Sequence, residues 1–198
     1  MDRTLTRRLL ACGAIAGPLF VLVFLVEGAT RNAYDPLRQP VSALAIGPLG
    51  WVQQINFIVT GILMVAFAIG LRTALQRWGG SRSAPVLIAL AGIGLVGAGI
   101  FVMGGALHIP SSLLFFVGLP AACFAIGRRF AGWHQRGWAW YSILSGVGSL
   151  AAFALAIVLL DSRGGLSEMA GLVQRVAVAI GFAWLTLLSI HLLTLRES

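Results

Sequence analysis

Residues 84–107 read APVLIALAGIGLVGAGIFVMGGAL, an apolar run of 24 positions without one charged side chain. About 20 mostly apolar residues carry an α-helix across the hydrocarbon core of a bilayer. In lipid every backbone amide and carbonyl must find its partner inside the segment, which leaves helices and closed barrels as the spanning structures, and runs this long read as helices. Working outward, five further runs have the same character, so that the expected spans are 9–28, 51–71, 84–107, 110–127, 138–160 and 170–195, with a loop over 29–50 lying in the interface. The predicted fold is all-α: a single polytopic membrane helix bundle with six transmembrane helices.

Composition agrees with this reading. Of 198 residues 59% are hydrophobic and 10% are charged, with a mean hydropathy of +0.93. Soluble domains carry about 25% charged residues, and a globule of this size leaves most residues touching water. The net charge of +8 comes from fourteen arginines without a single lysine. In a soluble chain such basicity would point to nucleic acid; here the arginines sort by loop, so no nucleic-acid partner is expected. The absence of lysine excludes a Walker-type phosphate loop and a Schiff base. The Ala/Gly/Arg bias fits a GC-rich bacterial genome. The N-terminus has a basic start and an apolar core but no small-x-small cleavage site before Glu27, and is read as an uncleaved first helix.

Arg3, Arg7, Arg8, Arg72, Arg77, Arg82, Arg128, Arg129, Arg136 and Arg196 fall on one side of the bundle. Arg31, Arg38 and Arg163 fall on the other, with Arg175 inside the sixth span. Positive residues stay cytoplasmic, so both termini are expected inside (N-in/C-in), in a multi-pass protein of the bacterial cytoplasmic membrane. Cys12 and Cys123 then lie toward the reducing side and read as free thiols. Trp51, Trp78, Trp133, Trp138 and Trp140 sit near span ends, as an interfacial belt requires. Gly13/Gly17, Ala66/Gly70, Gly94/Ala98 and Ser145/Ser149 have the spacing of close helix packing.

Ionisable and amide side chains are costly in a membrane and so mark candidate sites. They gather in one leaflet. Glu27 closes the first span, Gln53, Gln54 and Asn56 open the second, His108 ends the third, and Gln174 and Arg175 open the sixth. This asymmetry predicts a polar cavity in the outer half, lined by Glu27, Asn56, His108 and Arg175, with Glu27 or Asp35 as the carboxylate partner of Arg175. The plainer alternative is that Arg175 snorkels, His108 caps a turn and the glutamines sit among headgroups. In the loop, Asp35-Pro36 is an N-cap followed by a first-turn proline, and Gln39-Pro40 a second, weaker helix start. The apolar stretch 41–46 is expected to lie flat as a lid, and Arg31, Asp35 and Arg38 to hold an anionic headgroup or one another. No HExxH, CxxC or GxSxG motif occurs, the histidines 108, 134 and 191 fall on different sides, and neither a metal nor a cofactor is called for.

Several motifs together resemble the bacterial domain-of-unknown-function 998 family: Tyr34-Asp35-Pro36-Leu37-Arg38, Pro40-Val41-Ser42-Ala43-Leu44, Gly50-Trp51-Val52-Gln53 with Asn56-Phe57, Leu119-Pro120-Ala121-Ala122, Arg128-Arg129-Phe130, Trp140-Tyr141-Ser142 and Gln174-Arg175-Val176. The resemblance spans nearly the whole chain and implies six membrane helices without an established activity. Members carry Phe-x-x-Asp-Pro and a Pro/Gly-rich loop after helix three, ahead of Gly-x-x-His. Here Phe101-Val102-Met103 leads straight to Gly105-Ala106-Leu107-His108. The His is kept, the Asp and its loop are absent, and a very tight turn between the third and fourth spans is expected.

The function expected is binding or processing of a lipid-like or apolar small molecule in the outer-leaflet cavity. His108 and Glu27 are the candidate catalytic groups for proton transfer. Arg31, Tyr34, Asp35, Arg38, Gln53, Asn56, Gln174 and Arg175 are the candidate ligand contacts, Arg175 facing any developing anion. Two alternatives are a transporter or channel component and a non-catalytic partner of another membrane protein. Expected partners are membrane lipids, an apolar ligand, and a second copy or another membrane protein.

Overall fold

The computed structural model of the chain describes residues 2–77, 82–161 and 165–194. Trp78, Arg163 and Arg196 lie outside the described residues. The helices are α1 (Arg3–Thr30), α2 (Gly50–Arg77), α3 (Ser83–Ile100), α4 (His108–Gly132), α5 (Arg136–Asp161) and α6 (Ala170–Thr194), with short 3-10 helices over Val41–Ala45 and Gly165–Met169. Among the described residues there is no strand, and six helices are long and apolar enough to cross a membrane. Even α3, the shortest at 18 residues, rises about 27 Å at 1.5 Å per residue, close to the thickness of a bilayer core.

The helices close a ring in chain order: each packs on the next, and α6 returns to α1. One end of this ring carries Arg3, Arg7, Arg8, Arg72, Arg82, Arg128, Arg129 and Arg136 and is here termed the arginine end. The other carries the 31–50 segment and is termed the loop end. The centre is aromatic. Phe20 of α1 lies 5.5 Å from Phe57 of α2 and 4.9 Å from Phe182 of α6, ring centre to ring centre, and Phe182 lies 5.5 Å from Phe115 of α4. Trp184, outside the expected interfacial belt, is wholly buried and donates its indole N–H to Ser142 Oγ at 3.0 Å. Apolar burial drives no helix association inside lipid, so close packing and interhelical hydrogen bonds must do so. Ser149 Oγ donates to the Ala177 carbonyl at 2.9 Å, and Ser189 Oγ to that of Leu10. At the α2–α3 crossing the two backbones touch: a Cβ on Gly61 would meet the Gly92 carbonyl oxygen at 2.5 Å, and one on Gly92 the Gly61 oxygen at 2.7 Å.

The helix ends differ from those the hydropathy implies. Most helices run past their apolar stretch into the arginine-bearing turns, because hydropathy registers the lipid-facing part and the backbone ladder continues beyond it. The third is the exception. It stops at Ile100 instead of 107; Phe101 leaves helical geometry, and Gly104 takes a φ of +96°, which a glycine tolerates without strain. The tight turn expected between α3 and α4 is therefore an irregular stretch over 101–107, and His108 opens α4 rather than ending α3. Pro110 falls in the first turn of α4, where its missing N–H costs no ladder bond.

One expectation for the 31–50 loop is likewise revised. Asp35 does not cap a helix: its Oδ1 accepts the Leu37 N–H at 2.9 Å and closes a local turn, and the 3-10 helix starts after Gln39-Pro40. The 41–45 segment packs on α1, α2 and α6. Val41, Leu44 and Ala45 are buried and join the bundle core.

Candidate functional site

Most of the polar side chains of the loop end hold the 31–50 segment in place. Arg31 pairs with Glu27 Oε1 at 2.6 Å one helical turn back, and its guanidinium donates to the carbonyls of Leu44 and, at 3.1 Å, Ile46. Gln54 Nε2 donates to the Ala45 carbonyl at 2.9 Å. The C-terminal carbonyls of the Val41–Ala45 helix, which lack partners of their own, are thereby satisfied.

A second clamp grips the preceding turn. Arg175 donates to the carbonyls of Gly171 and Gln39, each at 2.9 Å, and of Pro36, and to the Tyr34 hydroxyl. Among the described residues no carboxylate takes part; Glu27 pairs with Arg31 and Asp35 with Arg38, not with the expected Arg175. Its planar fork of donors instead reads carbonyls converging from loop and helix. The Leu172 N–H, at the start of α6, donates to the Leu37 carbonyl at 3.0 Å, and Gln174 Oε1 accepts the Val41 N–H at 2.9 Å. Gly171 is the contact point: a Cβ there would strike the carbonyl oxygens of Gln39 and Pro36. Tyr34 lies between these groups, its phenol pKa raised by burial and held back in part by the Arg175 charge. Arg38 is exposed and pairs with Asp35 at 3.3 Å and Glu168 at 2.8 Å; such exposed pairs contribute ~1 kcal/mol or less. Gln53 and Asn56 are buried between α1 and α2, where Asn56 Nδ2 donates to the Phe20 carbonyl and to Gln53 Oε1, both at 3.2 Å.

Beside these clamps lies a cavity of about 470 Å³, within the range of small-molecule sites. Its inner wall is aromatic: Phe20, Phe57 and Phe115 line it, and Phe116 of α4 stacks on Phe153 of α5 at 4.0 Å. Val41, Ser42 and Met103 form the loop-end wall, with Ser42 Oγ 3.7 Å from Met103 Sδ. Toward the outside, Ile109 and Leu113 of α4 and Ile157 and Leu160 of α5 line the cavity while remaining exposed. The cavity therefore opens sideways, on the apolar faces of α4 and α5. Its polar lining is small: Ser42, His108, Ser112, Asp161 and Gln174.

Of the candidate residues, His108 and Gln174 are on this wall. Glu27, Arg31, Tyr34 and Arg175 belong to the clamps, Asp35 and Arg38 to the exposed turn, and Gln53 and Asn56 to the α1–α2 contact. Ser112 and Asp161 are lining groups that the sequence reading did not single out. For Ser112 the signal exists: it stands four residues after His108, on the same helix face once α4 is known to begin at His108. Among the described residues no group of three or more His, Cys, Asp or Glu side chains could hold a metal.

A ring of six membrane-spanning helices, with the 31–50 loop pinned at one end and an apolar cavity beside it, defines a polytopic membrane protein with room for a small ligand. The profile of the family described as "Protein of unknown function (DUF998)" matches residues 14–191, and the chain belongs to that family. No curated protein and no solved structure matches it.

Proposed function

We propose that this protein binds an apolar or lipid-like small molecule in the cavity between α3, α4, α5 and α6, and takes it up sideways from the bilayer. The carrying observation is the lateral mouth at Ile109, Leu113, Ile157 and Leu160, apolar residues that would face acyl chains. The arginine distribution supports placing both termini in the cytoplasm of a bacterial cell and the cavity in the outer leaflet. A predominantly apolar cavity with a few polar groups suits a ligand with a long hydrocarbon part and a small polar one. The aromatic packing of Phe20, Phe57, Phe115 and Phe182 on the arginine side of the cavity speaks against a continuous transport path.

Native mass spectrometry of protein purified in mild detergent, followed by lipid extraction, tests this. The wild type is expected to retain one class of apolar molecule. Ile157→Trp, which narrows the mouth from an exposed position, is expected to lower its occupancy about tenfold, equivalent to roughly 1.4 kcal/mol, with the melting temperature unchanged. Identical co-purifying lipids, in identical ratios, in wild type and variant would remove the basis for the proposal.

A further inference from the structure

His108 and Ser112 stand together on the cavity wall. His108 Nδ1 lies 2.7 Å from the Phe101 carbonyl oxygen, and Ser112 Oγ lies 3.4 Å from His108 Nε2. A carbonyl only accepts, so Nδ1 carries a proton, and in the tautomer protonated there alone Nε2 is the acceptor toward Ser112. A nucleophilic hydroxyl, an imidazole in line with it and a third group fixing the ring are the elements of serine catalysis. The third group here is the backbone carbonyl of the irregular 101–107 stretch, which ends α3 early and brings Phe101 back over α4. The separation at Ser112 is longer than that of a tight pair, as is common in sites without substrate. Both side chains sit in the first two turns of α4, where the positive end of the helix dipole favours developing negative charge. Gln174 and Ser42 also line the cavity.

We propose that Ser112 is the nucleophile and His108 the general base of an acyl-transfer reaction on an ester-bearing, lipid-like molecule held in the cavity; this rests on the ligand-binding reading above. The Ser112 O–H bond breaks, its proton passes to His108 Nε2, and Oγ bonds to the ester carbonyl carbon while the π pair moves to the carbonyl oxygen. Collapse of that intermediate breaks the bond to the alkoxy group, which takes the proton from Nε2 and departs as an alcohol. Water then attacks the acyl-serine, giving up a proton to Nε2. Ser112 leaves with that proton, and a carboxylic acid is released; an acceptor alcohol in place of water gives a new ester. The Phe101 carbonyl holds the ring throughout and accepts a stronger hydrogen bond while the ring is charged.

The test uses a decyl fluorophosphonate, which bonds through phosphorus to an activated serine and loses fluoride, with the site located by tandem mass spectrometry. Binding of dansyl-undecanoic acid, read by fluorescence, reports the cavity separately. The wild type is expected to be labelled at Ser112, and Ser111→Ala to be labelled equally, since Ser111 faces Gly97 of α3. Ser112→Ala is expected to lose labelling while the fluorescent acid still binds, which shows that the cavity remains formed. His108→Gln, which can still donate to Phe101 yet cannot take the proton, is expected to label at least about 100-fold more slowly. If the wild type binds the acid but Ser112 is unlabelled, or if His108→Gln labels as fast as wild type, the dyad is refuted and the cavity reading stands. If the acid does not bind either, both fall.

Discussion

Arg175→Ala is expected to produce the largest single loss of stability among the polar side chains. The guanidinium donates to the carbonyls of Gly171, Gln39 and Pro36 and to the Tyr34 hydroxyl, in a half-buried setting at the root of α6. Removing one side of a charged, partly desolvated network costs about 3–5 kcal/mol. For a chain of this size that corresponds to a melting temperature lower by roughly 10 °C, measurable by scanning fluorimetry in detergent. The effect is local in origin, so limited proteolysis should cut first within the 31–50 segment. Because Val41 and Ser42 form the loop-end wall of the cavity, ligand retention should fall too. Arg175→Lys keeps the charge but not the fork, and is expected to recover less than half of the loss. A variant with the wild-type melting temperature and an uncleaved loop would show that the clamp does not hold the loop.

Gly92→Leu is expected to disrupt the bundle itself. The obstacle on the facing helix is the Gly61 carbonyl, together with Met64 and Val65 side chains. A carbonyl in a helix cannot rotate away as a side chain can, so α2 and α3 must separate. Overpacking costs about 1–3 kcal/mol where neighbours can shift, and about 3 kcal/mol or more is expected here, seen as loss of a monodisperse peak in size-exclusion chromatography. Gly137→Ala is the control, since nothing lies within 4 Å of a Cβ at that position; in the first turn of α5 it should be neutral or stabilise by up to about 1 kcal/mol. Equal behaviour of the two variants would mean that the Gly61–Gly92 contact is not a close crossing.

The number of spanning helices was legible because each apolar run is long enough to cross a bilayer and few charges interrupt it. What hydropathy could not carry was the break at Ile100. The 101–107 stretch is as apolar as a helix, yet it leaves helical geometry, and the glycines that permit this also occur inside α3 itself. That one boundary had consequences for the site. With His108 placed at the end of a third helix, Ser112 lay on a different element and its spacing from His108 carried no meaning. The partners of Arg175 were illegible for another reason: apart from the Tyr34 hydroxyl they are backbone carbonyls, which any sequence supplies. The gathering of polar groups at one end was readable. Their division between loop clamps and cavity wall depends on which way each helix face turns, and follows only from the packing of the ring.

The central claim is that the cavity at the loop end takes up an apolar molecule through the gap between α4 and α5. A fatty acid bearing a diazirine near the end of its chain, photolysed in proteoliposomes and located by tandem mass spectrometry, tests it most directly. The account predicts adducts concentrated on the cavity lining, including Leu113, Phe116, Phe153 and Ile157, and suppressed by excess unlabelled fatty acid. Adducts spread evenly over exposed faces such as Leu22, Leu25 and Val26 of α1, without suppression by competitor, would contradict it.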